Sequence, residues 1–230
     1  ATCDLPAVTS IGGSLYVSEG ATCDLPAVTS IGGYLCVGEG ATCDLPAVTS
    51  IGGSLYVRQG ATCDLPAVTS IGGSLYVSEG ATCDLPAVTS IGGYLCVGEG
   101  ATCDLPAVTS IGGSLEIHPR TKVNLPLLET VNGKHFASPE AQKALLLDVA
   151  THALATDDSL TMSDWHACGT SHCIAGWAVH LKGEEGYALE KAVGPATAGA
   201  LLLGLDAAAM FFLSRDEARG KLEMIRQGLA

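Results

Sequence analysis

Two sets of residues carry side chains that could bind a metal ion, and the first lies in the segment WHACGTSHC. His166, Cys168, His172 and Cys173 supply two imidazoles and two thiols, which are the ligand types of zinc sites. In a helix, the adjacent residues His172 and Cys173 would point about 100° apart, which makes a shared ion difficult. A Cys168–Cys173 disulfide and ordinary core packing are the alternatives, and all three interpretations stay open.

The second set is a row of aspartates spaced 20 residues apart. Its members are Asp4, Asp24, Asp44, Asp64, Asp84 and Asp104. If the repeats stack about 4.8 Å apart, the row becomes a ladder of carboxylates that could bind cations. The alternative is that each carboxylate accepts backbone N–H groups at the following Leu-Pro corner, as in an Asx turn.

Motifs of enzyme active sites are missing from the sequence. It contains no glycine-rich phosphate loop after a strand, no G-x-S-x-G and no H-E-x-x-H, and a Cys/His pair without a third orienting group is a weak nucleophile site. We therefore expect a protein that is not an enzyme and that needs no cofactor.

The aspartate row is positioned by a 20-residue repeat, whereas the segment WHACGTSHC lies beyond it. ATCDLPAVTSIGG begins at residues 1, 21, 41, 61, 81 and 101 without substitution, and a degenerate seventh copy spans 121–137. Variation is confined to the last seven positions of each unit, which read SLYVSEG, YLCVGEG, SLYVRQG, SLYVSEG, YLCVGEG and SLEIHPR. The period ends after Ala137, so the sequence predicts a repeat domain over 1–137 and a second domain over 138–230.

Within one unit, apolar residues alternate with polar ones around Cys3–Leu5 and Leu15–Val17, which is the period of a β-strand. Gly12–Gly13 and Gly20 are expected to provide positive φ angles at corners. A single unit cannot bury its apolar face, whereas stacked units can. The pattern therefore predicts a parallel β-solenoid with one coil per unit, followed by a small all-α domain.

Stacking turns each cysteine or tyrosine position into a row. Cys3 and its five equivalents share the inward parity of Leu5, so we expect buried free thiols. Cys36 and Cys96 are expected to face outward, about 14 Å apart across three coils, which is too far for a disulfide. A sparse aromatic stripe is expected on the same face, and together with these two cysteines it is the candidate interaction surface. The stripe consists of Tyr16, Tyr34, Tyr56, Tyr76 and Tyr94.

The net charge of −13 and the absence of an 18-residue apolar stretch limit the possible partners. Such a chain is not expected to bind nucleic acid directly or to span a membrane as a helix. Residues 1–120 carry 11 carboxylates against Arg58 and Arg120, a net charge of −9. This acidic rod could act as a decoy for a DNA-binding enzyme, or the charge could serve solubility alone. Threonine rows at Thr2 and Thr9 leave ice binding as a third possibility.

Beyond residue 137 the pattern becomes helical. Ser138-Pro139-Glu140 is typical of a helix start, and a second helix is expected from Ser171. Further helices fit 184–193, 195–203, 206–213 and 214–227, with Asp206 and Ser214 as N-caps. The most economical role for this domain is to cap an open end of the solenoid.

The frame LPAVTSIGGSLYV resembles the short leucine-rich, receptor-L-domain-like repeats of uncharacterised bacterial and phage proteins. The resemblance covers residues 1–137, and the stretch 163–190 is similar to a helical segment that follows some of these repeats. It implies a right-handed parallel β-helix that acts as a binding or spacing scaffold, and it implies no catalytic residue. The chain departs from the pattern at Cys3, where leucine is usual.

The sequence starts at Ala1 within the frame of a full repeat. Either further residues precede Ala1, or the edge of the first coil pairs with something, most simply another copy of the chain, as a head-to-head dimer or a head-to-tail filament. We therefore expect a non-enzymatic scaffold that forms a homo-oligomer or filament, or that binds another protein through its rod. Buried thiols favour a cytoplasmic location.

Overall fold

The computed structural model of the chain describes residues 2–163, 165–168 and 171–229, without the side chains of Asp4 and residues 166–168. The chain divides into two compact units, Ala1–Gly133 and Lys134–Ala230. This division lies four residues before the boundary at 137/138 that the end of the repeat suggested. The first unit is the predicted parallel β-solenoid and the second consists mainly of helices.

The coils of the first unit form three parallel sheets. Sheet A contains Thr2–Asp4 (β1), Thr22–Asp24 (β3), Thr42–Asp44 (β6), Thr62–Asp64 (β9), Thr82–Asp84 (β12), Thr102–Asp104 (β15) and Lys122–Asn124 (β18). Sheet B of this unit contains Ser30–Ile31 (β4), Ser50–Ile51 (β7), Ser70–Ile71 (β10), Ser90–Ile91 (β13), Ser110–Ile111 (β16) and Thr130–Val131 (β19). Sheet C contains Leu15–Val17 (β2), Leu35–Val37 (β5), Leu55–Val57 (β8), Leu75–Val77 (β11), Leu95–Val97 (β14) and Leu115–Ile117 (β17).

Neighbouring coils pair in register. Each residue lies opposite the residue 20 positions later, as Cys23 lies opposite Cys43 and Leu35 opposite Leu55. Identical side chains therefore form straight rows, both inside the solenoid and on its surface. The seventh coil contributes to sheets A and B within this unit but has no strand in sheet C.

The core of the solenoid consists of rows of apolar side chains that point inward from the strands and from the turns between them. In the second coil, the buried apolar residues are Ala21, Cys23, Leu25, Val28, Ile31, Leu35 and Val37. The first coil differs, because it packs against a single neighbouring coil: Leu5 is 50% exposed, whereas Leu65 is fully buried. A unit that lies between two others thus buries its apolar face, as expected for a solenoid.

The two kinds of glycine in the repeat have different causes. Gly20 and its equivalents have positive φ, as predicted, and Arg120 takes the same conformation in the sixth coil. The expectation of positive φ at Gly12–Gly13 was wrong. These rows are glycine because the coils approach closely there: a Cβ at Gly53 would lie 2.9 Å from the carbonyl carbon of Gly33.

The described residues of the second unit form six α-helices and three short strands. The helices are Pro139–Ala153 (α1), Ile174–Leu181 (α2), Gly183–Val193 (α3), Pro195–Leu203 (α4), Leu205–Ala208 (α5) and Arg215–Arg226 (α6). Lys134–His135 (β20) opens the unit, a 3-10 helix spans Asp157–Ser159, and His166–Cys168 (β21) pairs with Ser171–His172 (β22) in an antiparallel ribbon.

Helix starts are confirmed where a hydroxyl residue precedes an acidic first turn. The Ser138 hydroxyl accepts the N–H of Ala141 at 3.3 Å, and Ser214 forms a capping box with Glu217. The predicted start of α2 at Ser171 was wrong, because Ser171 lies in the ribbon and Cys173 is the N-cap. α5 starts after Gly204 rather than at an Asp206 cap, because Gly204 has the positive φ of 90° between two helices.

α2 is the central helix of the second unit. It packs against α1, α3 and α4, and its residues from Ile174 to Val179 are buried. The indole Nε1 of Trp177 donates to the carbonyl oxygen of Ser159 at 2.8 Å, which joins α2 to the 3-10 helix. Among the described residues, no helix combines the length and the apolar character needed to cross a lipid bilayer.

Candidate functional site

The outer face of sheet C carries a row of five tyrosines, whose rings are in contact from Tyr16 to Tyr76. Tyr16 contacts Tyr34 edge-to-face with ring centroids 5.1 Å apart, and Tyr34 contacts Tyr56 in the same way at 6.2 Å. Tyr56 and Tyr76 are stacked at 5.1 Å. Where a cysteine takes the outward position of the strand, as in the second coil, the tyrosine stands two residues earlier and still joins the row.

The ends of this tyrosine row are accessible. Tyr16 is 62% exposed and Tyr94 is 51% exposed, and the three tyrosines between them are half-buried against one another. Aromatic rings held in this way lose little conformational entropy on binding, which is why tyrosine is common in protein interfaces. The row therefore has the composition of a binding surface, although cross-strand stacking alone also accounts for the ring contacts.

A row of exposed carboxylates follows sheet C in the next turn of each coil. Its members are Glu19, Glu39, Glu79 and Glu99. In the third coil the turn carries Arg58 and Gln59 instead, and the Arg58 guanidinium lies 5.6 Å from the centroid of the Tyr56 ring. In the sixth coil Arg120 pairs with Glu99. The face of sheet C thus combines aromatic rings with negative charge, and one of its rings already accepts a cation.

The aspartate row lies on the outer face of sheet A, where Asp24 to Asp84 are exposed and Asp104 is half-buried. The corner after each aspartate is closed by the backbone, since the N–H of Val28 donates to the carbonyl of Leu25 at 3.2 Å. Burial, followed by the charges of Asp104 and Asp64, raises the pKa of Asp84. Asp104 also accepts the side-chain N–H of Asn124 at 2.7 Å. The cation ladder remains a prediction.

One of the two threonine rows is tied to the backbone. The hydroxyl of Thr49 donates to the carbonyl of Thr29 at 3.1 Å, and Thr69 donates to Thr49 at 3.2 Å. Each of these hydroxyls therefore bridges successive coils. The donor proton of each hydroxyl is used within the protein, which leaves this row less suited to ordering water on its surface.

The inward cysteine row is buried from Cys23 to Cys103, and its thiols are free. Cys3 was also expected to be buried, but it is exposed because the first coil packs against a single neighbour. Hydrogen bonding to Cys43, followed by burial, raises the pKa of Cys23, and contacts with Cys103 and Cys63 raise the pKa of Cys83 in the same way. Raised pKa values keep Cys23 and Cys83 neutral and poorly reactive, whereas hydrogen bonds with Cys43 and Cys83 lower the pKa of Cys63 between them.

Cys36 and Cys96 take the outward position in sheet C, and both are half-buried. Cys36 lies between Tyr16 and Tyr56. Cys96 lies opposite Glu116 of the next coil, and burial together with the Glu116 charge raises the pKa of Cys96. The two cysteines, which have identical sequence neighbours, therefore differ in what the following coil places beside them.

A cluster of three possible metal ligands forms around Cys96. The Sγ of Cys96, a carboxylate oxygen of Glu116 and an imidazole nitrogen of His118 lie within 4.8 Å of one another. We call this group the Cys96 cluster. The sequence analysis missed this cluster because its members come from two different repeats. The available signal was that the sixth unit departs from the other units at Glu116 and His118, the positions opposite Cys96 and Gly98.

In the helical unit, the described zinc candidates are engaged in packing and capping. The His172 ring lies 4.6 Å from the His180 ring and 4.8 Å from the Trp177 ring between centroids. The Sγ of Cys173 accepts the N–H of Gly176 at 3.3 Å, and burial raises the pKa of the Cys173 thiol to about 11. The side chains of His166 and Cys168 lie outside the described residues, so the zinc and disulfide hypotheses for this segment remain predictions.

Comparison of the chain with protein-family models, curated proteins and solved structures found no match. The structure shows a β-solenoid with 20-residue coils, followed by helices. The more specific resemblance to leucine-rich, receptor-L-domain-like repeats remains a prediction.

Proposed function

We propose that the protein is a non-enzymatic binding scaffold, and that the tyrosine row of sheet C, with the glutamate row beside it, takes up a basic polypeptide segment. The observation that carries the proposal is the continuous row of ring contacts from Tyr16 to Tyr76 on an outer face. Cross-strand stacking contributes to the fold, and rings that are held rigidly on an outer face are also the anchors that a binding surface uses.

The chemistry of the face favours arginine in the partner. Arginine stacks on aromatic rings and pairs with carboxylates through the same planar group. The Arg58 guanidinium, 5.6 Å from the centroid of the Tyr56 ring, is an arginine–aromatic contact within the chain itself. The net charge of −9 over residues 1–120 attracts a basic segment from a distance and accelerates its association.

Two other hypotheses remain predictions beside this one. An acidic decoy for a DNA-binding enzyme would use the same charges, but its affinity would not depend on the tyrosine rings. Self-association of the chain, as a dimer or filament, is compatible with a binding scaffold and is independent of the tyrosine row. The resemblance to receptor-L-domain-like repeats supports a binding role in general without indicating the partner.

The proposal predicts that tyrosine side chains contribute to affinity for an arginine-rich peptide. Replacing both Tyr56 and Tyr76 by Ala is expected to weaken binding of a short arginine–glycine peptide about tenfold, because each cation–π contact contributes roughly 0.5–1 kcal/mol at exposed sites. Replacing both by Phe should preserve most of the affinity, since the rings remain. Fluorescence anisotropy of a labelled peptide measures the dissociation constants at fixed salt concentration.

Tyr187 provides the matched control, because it is an exposed tyrosine of the helical unit. The Tyr187→Ala variant should bind the peptide like the parent chain, and circular dichroism should show that all variants keep their folds. Equal affinity of the Tyr56→Ala/Tyr76→Ala variant and the parent chain would contradict the proposal and favour the purely electrostatic decoy.

A further inference from the structure

The Cys96 cluster combines three different ligand chemistries at one point of the solenoid surface. Cys96 and Glu116 lie opposite each other in the pairing of β14 with β17. His118 lies two residues after Glu116, and Ile117 between them is buried at 4% exposure, so that both ligand side chains are on the outer side of the strand. The register of the coils therefore brings the thiol, the carboxylate and the imidazole together.

The backbone around His118 holds it beside the fifth coil. Its N–H donates to the carbonyl of Val97 at 2.9 Å, which continues the ladder of sheet C. The corresponding residue of the fifth coil is Gly98, which has no side chain to separate the imidazole from Cys96. The ligand atoms lie within 4.8 Å of one another, and tetrahedral coordination of one thiolate, one imidazole and one carboxylate at zinc distances requires about 3.3–3.6 Å. Side-chain rotations that move the ligand atoms by about 1 Å bring them to this spacing.

The ligand types select the class of metal. A thiolate is a poor ligand for Mg²⁺ and Ca²⁺, whereas thiolate, imidazole and carboxylate together suit Zn²⁺ and related first-row ions. Three protein ligands leave one position of a tetrahedral ion for water or for a group of a partner molecule. The net negative charge of the solenoid adds attraction for a cation.

The remaining coils show that the cluster is a local departure from the repeat. Cys36 has the same sequence neighbours as Cys96, but the coil that follows it carries Tyr56 and Arg58 at the positions of Glu116 and His118. An arginine offers no metal ligand, and a neutral tyrosine hydroxyl is a much poorer ligand than the carboxylate in its place. Among the described residues, Cys96 is therefore the one outward cysteine that has a carboxylate and an imidazole beside it.

We propose that Cys96, Glu116 and His118 bind a zinc-class divalent cation on the outer face of sheet C. The site lies on the same face of sheet C as the tyrosine row, where Cys96 is opposite Tyr76, but it uses no residue of that row and none of the segment around Cys168. It joins the fifth and sixth coils through one ion, so binding also stabilises the solenoid where the strands of sheet C end.

Cobalt titration of the reduced full-length chain tests the proposal. Co²⁺ bound by a thiolate gives a sulfur-to-metal charge-transfer absorption in the near ultraviolet, and tetrahedral coordination gives strong visible bands. We expect both signals, and we expect Zn²⁺ to displace the cobalt. The Cys96→Ser and His118→Ser variants should each weaken binding at least about tenfold, since loss of even an outer-shell partner costs this much. Serine already occupies the His118 position at Ser18 and Ser78, so His118→Ser is compatible with the fold.

Cys36→Ser is the matched control, because it removes a thiol from the same strand position without touching the cluster. It should leave the charge-transfer band and the affinity unchanged. The proposal is overturned if the parent chain gives no thiolate band, if the band persists at parental affinity in Cys96→Ser and His118→Ser, or if Cys36→Ser removes it. The second outcome would place the metal at another set of ligands, such as the segment around Cys168.

Discussion

Leu65→Ala is expected to lower the free energy of unfolding by about 2–5 kcal/mol, the range for removing a fully buried leucine from a packed core. Leu65 is 0% exposed, and its row continues through the coils on both sides. The truncation leaves a cavity that the neighbouring leucines cannot fill without breaking register with their own coils. Urea unfolding followed by circular dichroism measures the loss.

The first coil supplies the control for this prediction. Leu5 occupies the same position of an identical repeat unit but is 50% exposed, so Leu5→Ala should cost less than about 1 kcal/mol. Equal destabilisation by the two substitutions would mean that the coils are not stacked as described.

Gly72→Ala is the second substitution with a large expected effect. The new Cβ would lie against the carbonyl oxygen of Gly52 in the preceding coil, far inside van der Waals contact. The new Cβ and the carbonyl oxygen are both attached directly to the backbone of hydrogen-bonded coils. The clash can therefore be relieved only if the two coils move apart. We expect a loss of at least about 1–3 kcal/mol, the usual cost of overpacking, measured by the same unfolding experiment.

Gly12 distinguishes this clash from a simple glycine effect. It has the same place in the repeat, but a Cβ there would meet nothing within 4 Å. Gly12→Ala should therefore be nearly neutral. If Gly12→Ala and Gly72→Ala destabilise the protein equally, the close approach of successive coils is not the reason for this glycine row.

The architecture of the solenoid could be predicted because an unbroken 20-residue period constrains every coil in the same way. Alternation around Leu15–Val17 indicated sheet C, and the parity of Cys3 indicated the buried row. Sheet B was not predicted, since its strands have only two residues and show no alternation. The role of Gly12–Gly13 was misjudged because a sequence does not show how closely one backbone lies against the next.

The candidate sites were less predictable than the fold. The tyrosine row could be expected from register alone, because each ring stands at position 14 or 16 of its unit. The Cys96 cluster required the neighbours across two coils to be compared, and a search for ligands close in sequence finds only the segment around Cys168. At the start of α2, a thiol acts as the N-cap, a role for which serine, threonine, aspartate and asparagine are the usual signals.

The central functional claim is that the tyrosine row binds basic polypeptides, and the ring signals of the tyrosines test it most directly. Five of the six tyrosines belong to the row and the sixth is Tyr187. In a chain with isotope-labelled tyrosine rings, nuclear magnetic resonance during titration with the arginine–glycine peptide should show shifts in the row signals and none in the Tyr187 signal, which a Tyr187→Phe variant identifies. Saturating peptide that leaves the row signals in place would contradict the claim.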